Sequence, residues 1–214
     1  MRRGTLIVLA GPSGVGKGSV VERLRSRDPE GLSLSISATT RPIRPGETDG
    51  VDYLFVDDAG FDGMIEAGEL LEWAEVYRGR RYGTPRSFVE RSLASGRDVI
   101  LEIDVQGAGW VRKKIADALG IFILPPSFDV LKARLMARGT ENHDDLELRL
   151  KNARAEVMEY KHFEYVIVND EIFAAARKLS AIILAERQRR DRQTEAIYGI
   201  LDSFDVSKHH LPGE

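Results

Sequence analysis

Gly11, Pro12, Ser13, Gly14, Val15, Gly16, Lys17 and Gly18 form a glycine-rich run that ends around a lysine. Such a run lets main-chain N–H groups converge on phosphate oxygens with no Cβ in the way, and the lysine adds positive charge. It follows the apolar stretch 5–10 and precedes the amphipathic stretch 19–27, so strand, turn and helix start occur in the order a phosphate-binding loop requires. The chemistry expected is the handling of a nucleoside triphosphate. A glycine-rich turn with an unrelated lysine is the plainer alternative. The general pattern asks for a hydroxyl at position 18, but this chain has Gly18, with Ser19 one place later. The usual direct protein ligand for Mg²⁺ is therefore missing.

Three further groups have chemical potential. Arg41 and Arg44 sit three apart in a loop stiffened by Pro42 and Pro45, a fork suited to bidentate phosphate contacts. Ser37, Tyr53, Tyr82 and Thr84 can add neutral donors. Glu102 and Asp104 alternate at the end of an apolar strand and so point to one face, where they can orient a hydrated Mg²⁺ or receive donors from a substrate. Arg134 and Arg138 fall four apart on one helix face, and Arg149 follows a polar, glycine-containing segment. Arginines so placed suit the stabilisation of a phosphoryl group in transfer. Each group also has an ordinary reading, as solvated loop charges, acids on an exposed edge, or the wet face of a helix.

These residues need a scaffold, and the hydrophobic pattern supplies one. Thr5–Ala10, Val99–Ile103, Ile121–Leu124 and Tyr165–Val168 are short apolar runs separated by helical patterns, the signature of buried parallel strands. Helices are predicted at 17–27, 85–94, 108–118, 128–138, 146–160 and 172–190. Leu32–Ile36, Tyr53–Val56 and Leu70–Val76 read as strands without full-length crossover helices. They imply a small mixed-sheet subdomain inserted at about 38–96. The segment 138–145 has no apolar periodicity and reads as part of a lid spanning about 126–150. A weak amphipathic stretch at 197–204 lies in an extension beyond residue 190. The fold class expected is α/β, a P-loop NTPase core with a parallel sheet and helices on both faces.

Composition narrows the function classes. The 214 residues carry 31 Lys and Arg against 34 Asp and Glu, a formal charge of −3, which argues against broad nucleic-acid binding. There is no cysteine, hence no disulfide and no thiolate chemistry, and a reducing cytoplasm is the expected compartment. The start at Met1 leads straight into the first strand, leaving no room for a signal peptide, and no apolar run is long enough for a membrane span. The four histidines show no metal-ligand spacing.

Taken with Leu71-Glu72-Trp73-Ala74, Tyr82-Gly83-Thr84, Glu102 to Gly107, Pro125-Pro126-Ser127, Arg138-Gly139-Thr140 and Val168-Asn169-Asp170, the GKG loop and the segment 37–47 resemble the guanylate kinase family in type and order over about residues 4–187. The resemblance implies phosphoryl transfer from ATP to GMP, and to dGMP, with Mg²⁺, in a domain of residues 1–190. It implies that residues 11–19 and Asn169 serve ATP and that Arg41, Arg44, Tyr53 and Tyr82 hold the GMP phosphate. Ser37, Glu72, Thr84 and Asp104 would face guanine, Glu102 would stand near the metal, and Arg134, Arg138 and Arg149 would close over the transferring group. Two other readings stay open, a non-catalytic protein-binding module of the same fold and a P-loop kinase for another nucleoside monophosphate. Two departures from the family pattern are a basic stretch at 75–81 that is one residue longer and the extension at 191–214.

Overall fold

The computed structural model describes residues 3–26, 31–76, 79–137 and 143–204. Five parallel strands form the main sheet in the order β2 (Leu32–Leu34), β7 (Asp98–Glu102), β1 (Leu6–Ala10), β8 (Leu119–Leu124) and β9 (Tyr165–Val168). All five residues of β1 are buried, and the two-residue alternation of a strand sends them to two cores. Ile7 and Leu9 pack with Val20, Val21 and Leu24 of α1 (Lys17–Arg25) and with Leu179 and Ile183 of α7 (Ile172–Arg187). Leu6 and Val8 pack on the opposite face with Val89 and Leu93 of α3 (Arg86–Ala94) and Ala108 and Val111 of α4 (Val105–Lys114). This is the α/β architecture expected.

The second sheet is mixed, in the order β4 (Leu54–Phe55), β3 (Ala38–Thr39), β6 (Arg81–Pro85) and β5 (Leu70–Glu75). β3 and β4 are parallel, whereas β6 runs antiparallel to both β3 and β5. Helix α2 (Asp58–Glu66) covers it through Phe61, which is fully buried against Ala38 and Leu70. Arg81 stacks on the Phe61 ring at 4.8 Å and pairs with Asp58 and Asp62, so the first residue of β6 clamps the helix in place.

Several sequence expectations change at this level. The run at 32–36 is a strand over Leu32–Leu34, but it pairs in parallel with β7 at the edge of the main sheet. Helix α2 and strands β3 and β6 were not predicted. α2 buries a single residue and contains Gly60 and Gly63, so it carries almost no apolar period. α4 begins at Val105 instead of 108, because Asp104 caps it by accepting the N–H of Gly107 at 2.8 Å. Within 126–150, α5 (Phe128–Ala137) sends Leu131 and Leu135 into the core, and α6 (His143–Glu156) starts earlier than predicted. A 3₁₀ turn over Val157–His162 takes the place of its predicted last turn. Residues 77, 78, 138–142 and 205–214, on which parts of the long loop, the lid and the extension fall, lie outside the described residues. No described helix is long and apolar enough to cross a membrane.

Beyond α7 the chain makes a 3₁₀ turn at Arg190–Arg192 and then α8 (Thr194–Ser203), which buries no residue. Arg192 donates to the Asp117 carbonyl at 3.3 Å and Gln193 to the Arg187 carbonyl at 2.7 Å, which ties the start of this extension to the core. Deleting residues 194–214 is therefore expected to shift stability by no more than about 0.5 kcal/mol, the range of surface changes, and to leave turnover intact. A melting curve and a rate measurement on the shortened chain check this. A large loss of either would give α8 a role its packing does not explain.

Candidate active site

The C-terminal ends of β1 and β7 open onto a cavity of about 240 Å³ lined by residues from both sheets. Gly11, Ser13 and Lys17 contribute from the loop, and Glu102, Ile103 and Asp104 from the end of β7 and the cap of α4. Ser37, Arg44, Tyr53, Glu72, Val76 and Tyr82 come from the mixed sheet and its loops, and Arg149, Asn152 and Glu156 from α6. The main sheet thus meets the insert at the edge where open α/β sheets hold ligands.

The loop is braced from beneath. Gly16 caps α1 in a left-handed conformation (φ 92°), which a side chain would strain. The carbonyl of Val15 accepts from Arg134 Nη1 at 3.2 Å and from Asn169 Nδ2 at 2.8 Å, and Arg134 Nη2 also donates to the Asn169 carbonyl at 3.0 Å. Asn169 is 1% exposed, so the structure places it and Arg134 under the loop and not in the open cavity. Lys17 Nζ donates to the carbonyl of Gly11 at 2.8 Å, folded over the loop it belongs to.

Glu102 stands beside the departure from the general loop pattern. A Cβ on Gly18 would lie 3.4 and 3.6 Å from the two Glu102 oxygens, so the carboxylate occupies the neighbourhood that a hydroxyl at position 18 would share. That placement fits a water-mediated cation ligand supplied by β7 in place of the loop.

At the other end of the cavity, register does the positioning. Glu72 pairs with Thr84 across β5 and β6, and the Thr84 hydroxyl donates to Glu72 Oε1 at 2.6 Å. Thr84 itself lies behind the carboxylate. The second oxygen meets the first turn of α4, where a Cβ on Gly107 would come within 2.6 Å of it. Only glycine permits that approach. Burial pushes the Glu72 carboxyl up to about 7; the Thr84 hydrogen bond opposes this and the neighbouring Asp104 charge adds to it. Burial also raises Asp104, against the pull of the Gly107 amide and Lys17.

Arg41 is 3% exposed and is held by Glu47 Oε1 at 2.7 Å and the Pro42 carbonyl at 2.6 Å, with the Tyr53 ring 5.2 Å away. It lies behind the cavity wall, whereas Arg44 lines it. Tyr53 and Tyr82 meet edge to face at 6.0 Å between them. Arg149 reaches the Ser13 hydroxyl at 3.5 Å. Arg138 lies outside the described residues. Pro12, Gly14, Val15, Gly16, Gly18 and Ser19 complete the loop without lining the cavity.

The sequence reading missed Asn152 and Glu156. They follow Arg149 by three and seven residues, the spacing that keeps side chains on one helix face, so extending the Arg149 argument along α6 would have reached them.

Comparison with known proteins bears on the same residues. The family model described as guanylate kinase matches residues 3–186. A guanylate kinase of Thermobifida fusca is 52% identical over 84% of this chain and 91% of its own length, and one of Symbiobacterium thermophilum is 48% identical over 91% and 92%. The crystal structure of guanylate kinase from Anaplasma phagocytophilum superposes with a TM-score of 0.76 at 35% identity, covering 89% of this chain and 90% of that one. With the loop, the mixed-sheet insert and the cavity between them all inside the matched span, this chain belongs to the guanylate kinase family.

Proposed function

We propose that this protein transfers the γ-phosphoryl group of ATP to GMP, giving ADP and GDP. The observation that carries the reading is that one cavity joins the phosphate loop and Lys17 to two carboxyls, the buried Glu72 and the half-buried Asp104. Guanine presents an N1–H and a 2-amino group as adjacent donors, which a carboxylate accepts together. Arg44, Tyr53 and Tyr82 line the same cavity and suit the acceptor phosphate, with Arg41 joining them once that phosphate competes for its pairing with Glu47.

In this reading a phosphate oxygen of GMP attacks the γ-phosphorus of ATP and the bond to the β-phosphate breaks, so the protein needs no nucleophile of its own. Its residues align the two anions, neutralise their charge and exclude water. Lys17 and the loop amides hold the triphosphate, and Arg149 approaches from α6. Arg134 acts from beneath by fixing the Val15 carbonyl, and Asn169 does the same. Glu102 fits as a ligand of Mg²⁺ through water, and the ion supplies charge neutralisation at the phosphate oxygens when bound. Among the described residues, none assigned to base or phosphate requires a ribose 2′-hydroxyl, which supports dGMP as a second acceptor. The chain's lack of cysteine suits a cytoplasmic enzyme.

A coupled ATP-turnover assay with GMP, AMP, UMP and CMP tests the proposal. GMP is expected to be the preferred acceptor. Faster turnover of another monophosphate would reassign the acceptor, and no turnover with any of them would leave a binding module.

A further inference from the structure

Helix α6 lays one face along the phosphate loop. Arg149, Asn152 and Glu156 share that face and all three line the cavity. At its end Glu156 Oε2 accepts the main-chain N–H of Ser13 at 3.2 Å. That amide belongs to the glycine-rich run whose N–H groups receive phosphate oxygens in loops of this kind. A carboxylate and a phosphate oxygen are anionic acceptors of the same sort, and one N–H serves one of them well at a time.

We propose that Glu156 is an internal anion seated on a phosphate-receiving amide of the loop, displaced when a polyphosphate binds, and that it thereby sets the affinity of this site for polyphosphate. The inference rests on the reading of the loop as a triphosphate site. Burial pushes the Glu156 carboxyl up, the Ser13 amide and Lys17 pull it down, Asp104 raises it again and Arg149 opposes that. The carboxylate is therefore held on the loop against the cost of leaving water, and it regains hydration once a stronger anion takes the amide. Its removal helps an incoming phosphate in two ways, by vacating the N–H and by lifting the repulsion between like charges. Arg149, two turns earlier on the same helix, stays close enough to meet the new anion.

Calorimetric titration of the full chain and of its Glu156→Gln and Glu156→Ala variants tests this, with inorganic tripolyphosphate and GMP as separate probes. Glu156→Ala is expected to bind tripolyphosphate about tenfold more tightly, since a hydrogen bond to a charged group is released from competition, and Glu156→Gln, whose amide oxygen can still accept the Ser13 N–H, more tightly by a smaller factor through the lost charge. GMP binding should stay within about twofold, because its assigned residues lie toward the insert; a merely structural role would weaken both probes. Unchanged or weaker tripolyphosphate binding overturns the proposal, as does an equal gain for GMP, which would mean a general field. Absence of tripolyphosphate binding in all three proteins would defeat the loop assignment itself, whereas binding with an unaltered constant defeats only the role of Glu156. Melting curves of both variants establish that they are folded, and the alanine variant carries the test should the glutamine variant be unstable.

Discussion

Lys17→Ala is expected to lower kcat by about 10²–10³-fold, the usual effect of removing one preorganised positive donor from a developing charge. Fold stability should hardly change. The buried face of α1 is made by Val20, Val21 and Leu24, and the resting ammonium donates to carbonyls of its own loop, to Gly11 at 2.8 Å and to Pro12 at 3.4 Å. Those carbonyls border the half-open loop, where water can replace the lysine. Steady-state rates with ATP and GMP, beside a melting curve of the same preparation, check both halves of the expectation. A folded variant with near-normal turnover would remove the loop from the chemistry.

Glu72→Gln separates function from stability in opposite directions. The glutamine keeps the size but replaces one acceptor oxygen with a donor, which faces the donors of guanine. Hydrogen bonds to a charged group contribute about 1.5–3 kcal/mol, so kcat/KM for GMP should fall roughly tenfold to a few hundredfold. AMP lacks the 2-amino donor and should lose much less. Equal losses for the two acceptors, or none for GMP, would mean that Glu72 does not read the base.

The empty protein should respond the other way. The ordinary carboxyl value is 4.5, and burial lifts that of folded Glu72 to about 7. Between these values the folded chain keeps a proton that the unfolded chain has released, so stability falls as pH rises through the window. The penalty is absent below about 4.5 and complete above about 7. Glutamine never ionises, so the variant should be more stable than the parent at pH 8, by on the order of 2 kcal/mol, with the difference gone near pH 4.5. Denaturant titrations at the two pH values measure it. If Glu72 reads guanine as proposed, GMP needs the ionised form, so its KM in the parent should climb as pH drops below about 7. Glu72 thus carries a burial cost in the empty protein that the Thr84 hydrogen bond offsets only in part.

What could be read from the sequence follows from where each signal resides. The parallel core was legible because its strands are buried on both faces and read as apolar runs, and the loop because glycine spacing is a local constraint on the backbone. The motif Tyr82-Gly83-Thr84 is legible in the sequence, but strand β6 is not, since its residues are recruited by pairing with β5 and have no apolar alternation. The burial of Arg41 was equally hidden. Its ion pair with Glu47 is set by a turn in which the Arg44 N–H binds the other oxygen of Glu47 at 2.8 Å, a closure three-dimensional in origin. Asn169 is the instructive case. The resemblance implies a place beside the nucleotide, and the structure adds a contact to the Val15 carbonyl of the loop that no local pattern encodes.

That support has a consequence for how the molecule is made. Val15 and Asn169 are 154 residues apart, and Asn169 follows the last strand of the main sheet. Arg134, the other donor to the same carbonyl, is also synthesised long after the loop has emerged. Until residues 134 and 169 have been made, a nascent chain therefore carries the glycine-rich loop without the clasp seen in the folded protein. If the loop seats a triphosphate, its competence is expected to arrive only once β9 docks and brings Asn169 onto the Val15 carbonyl.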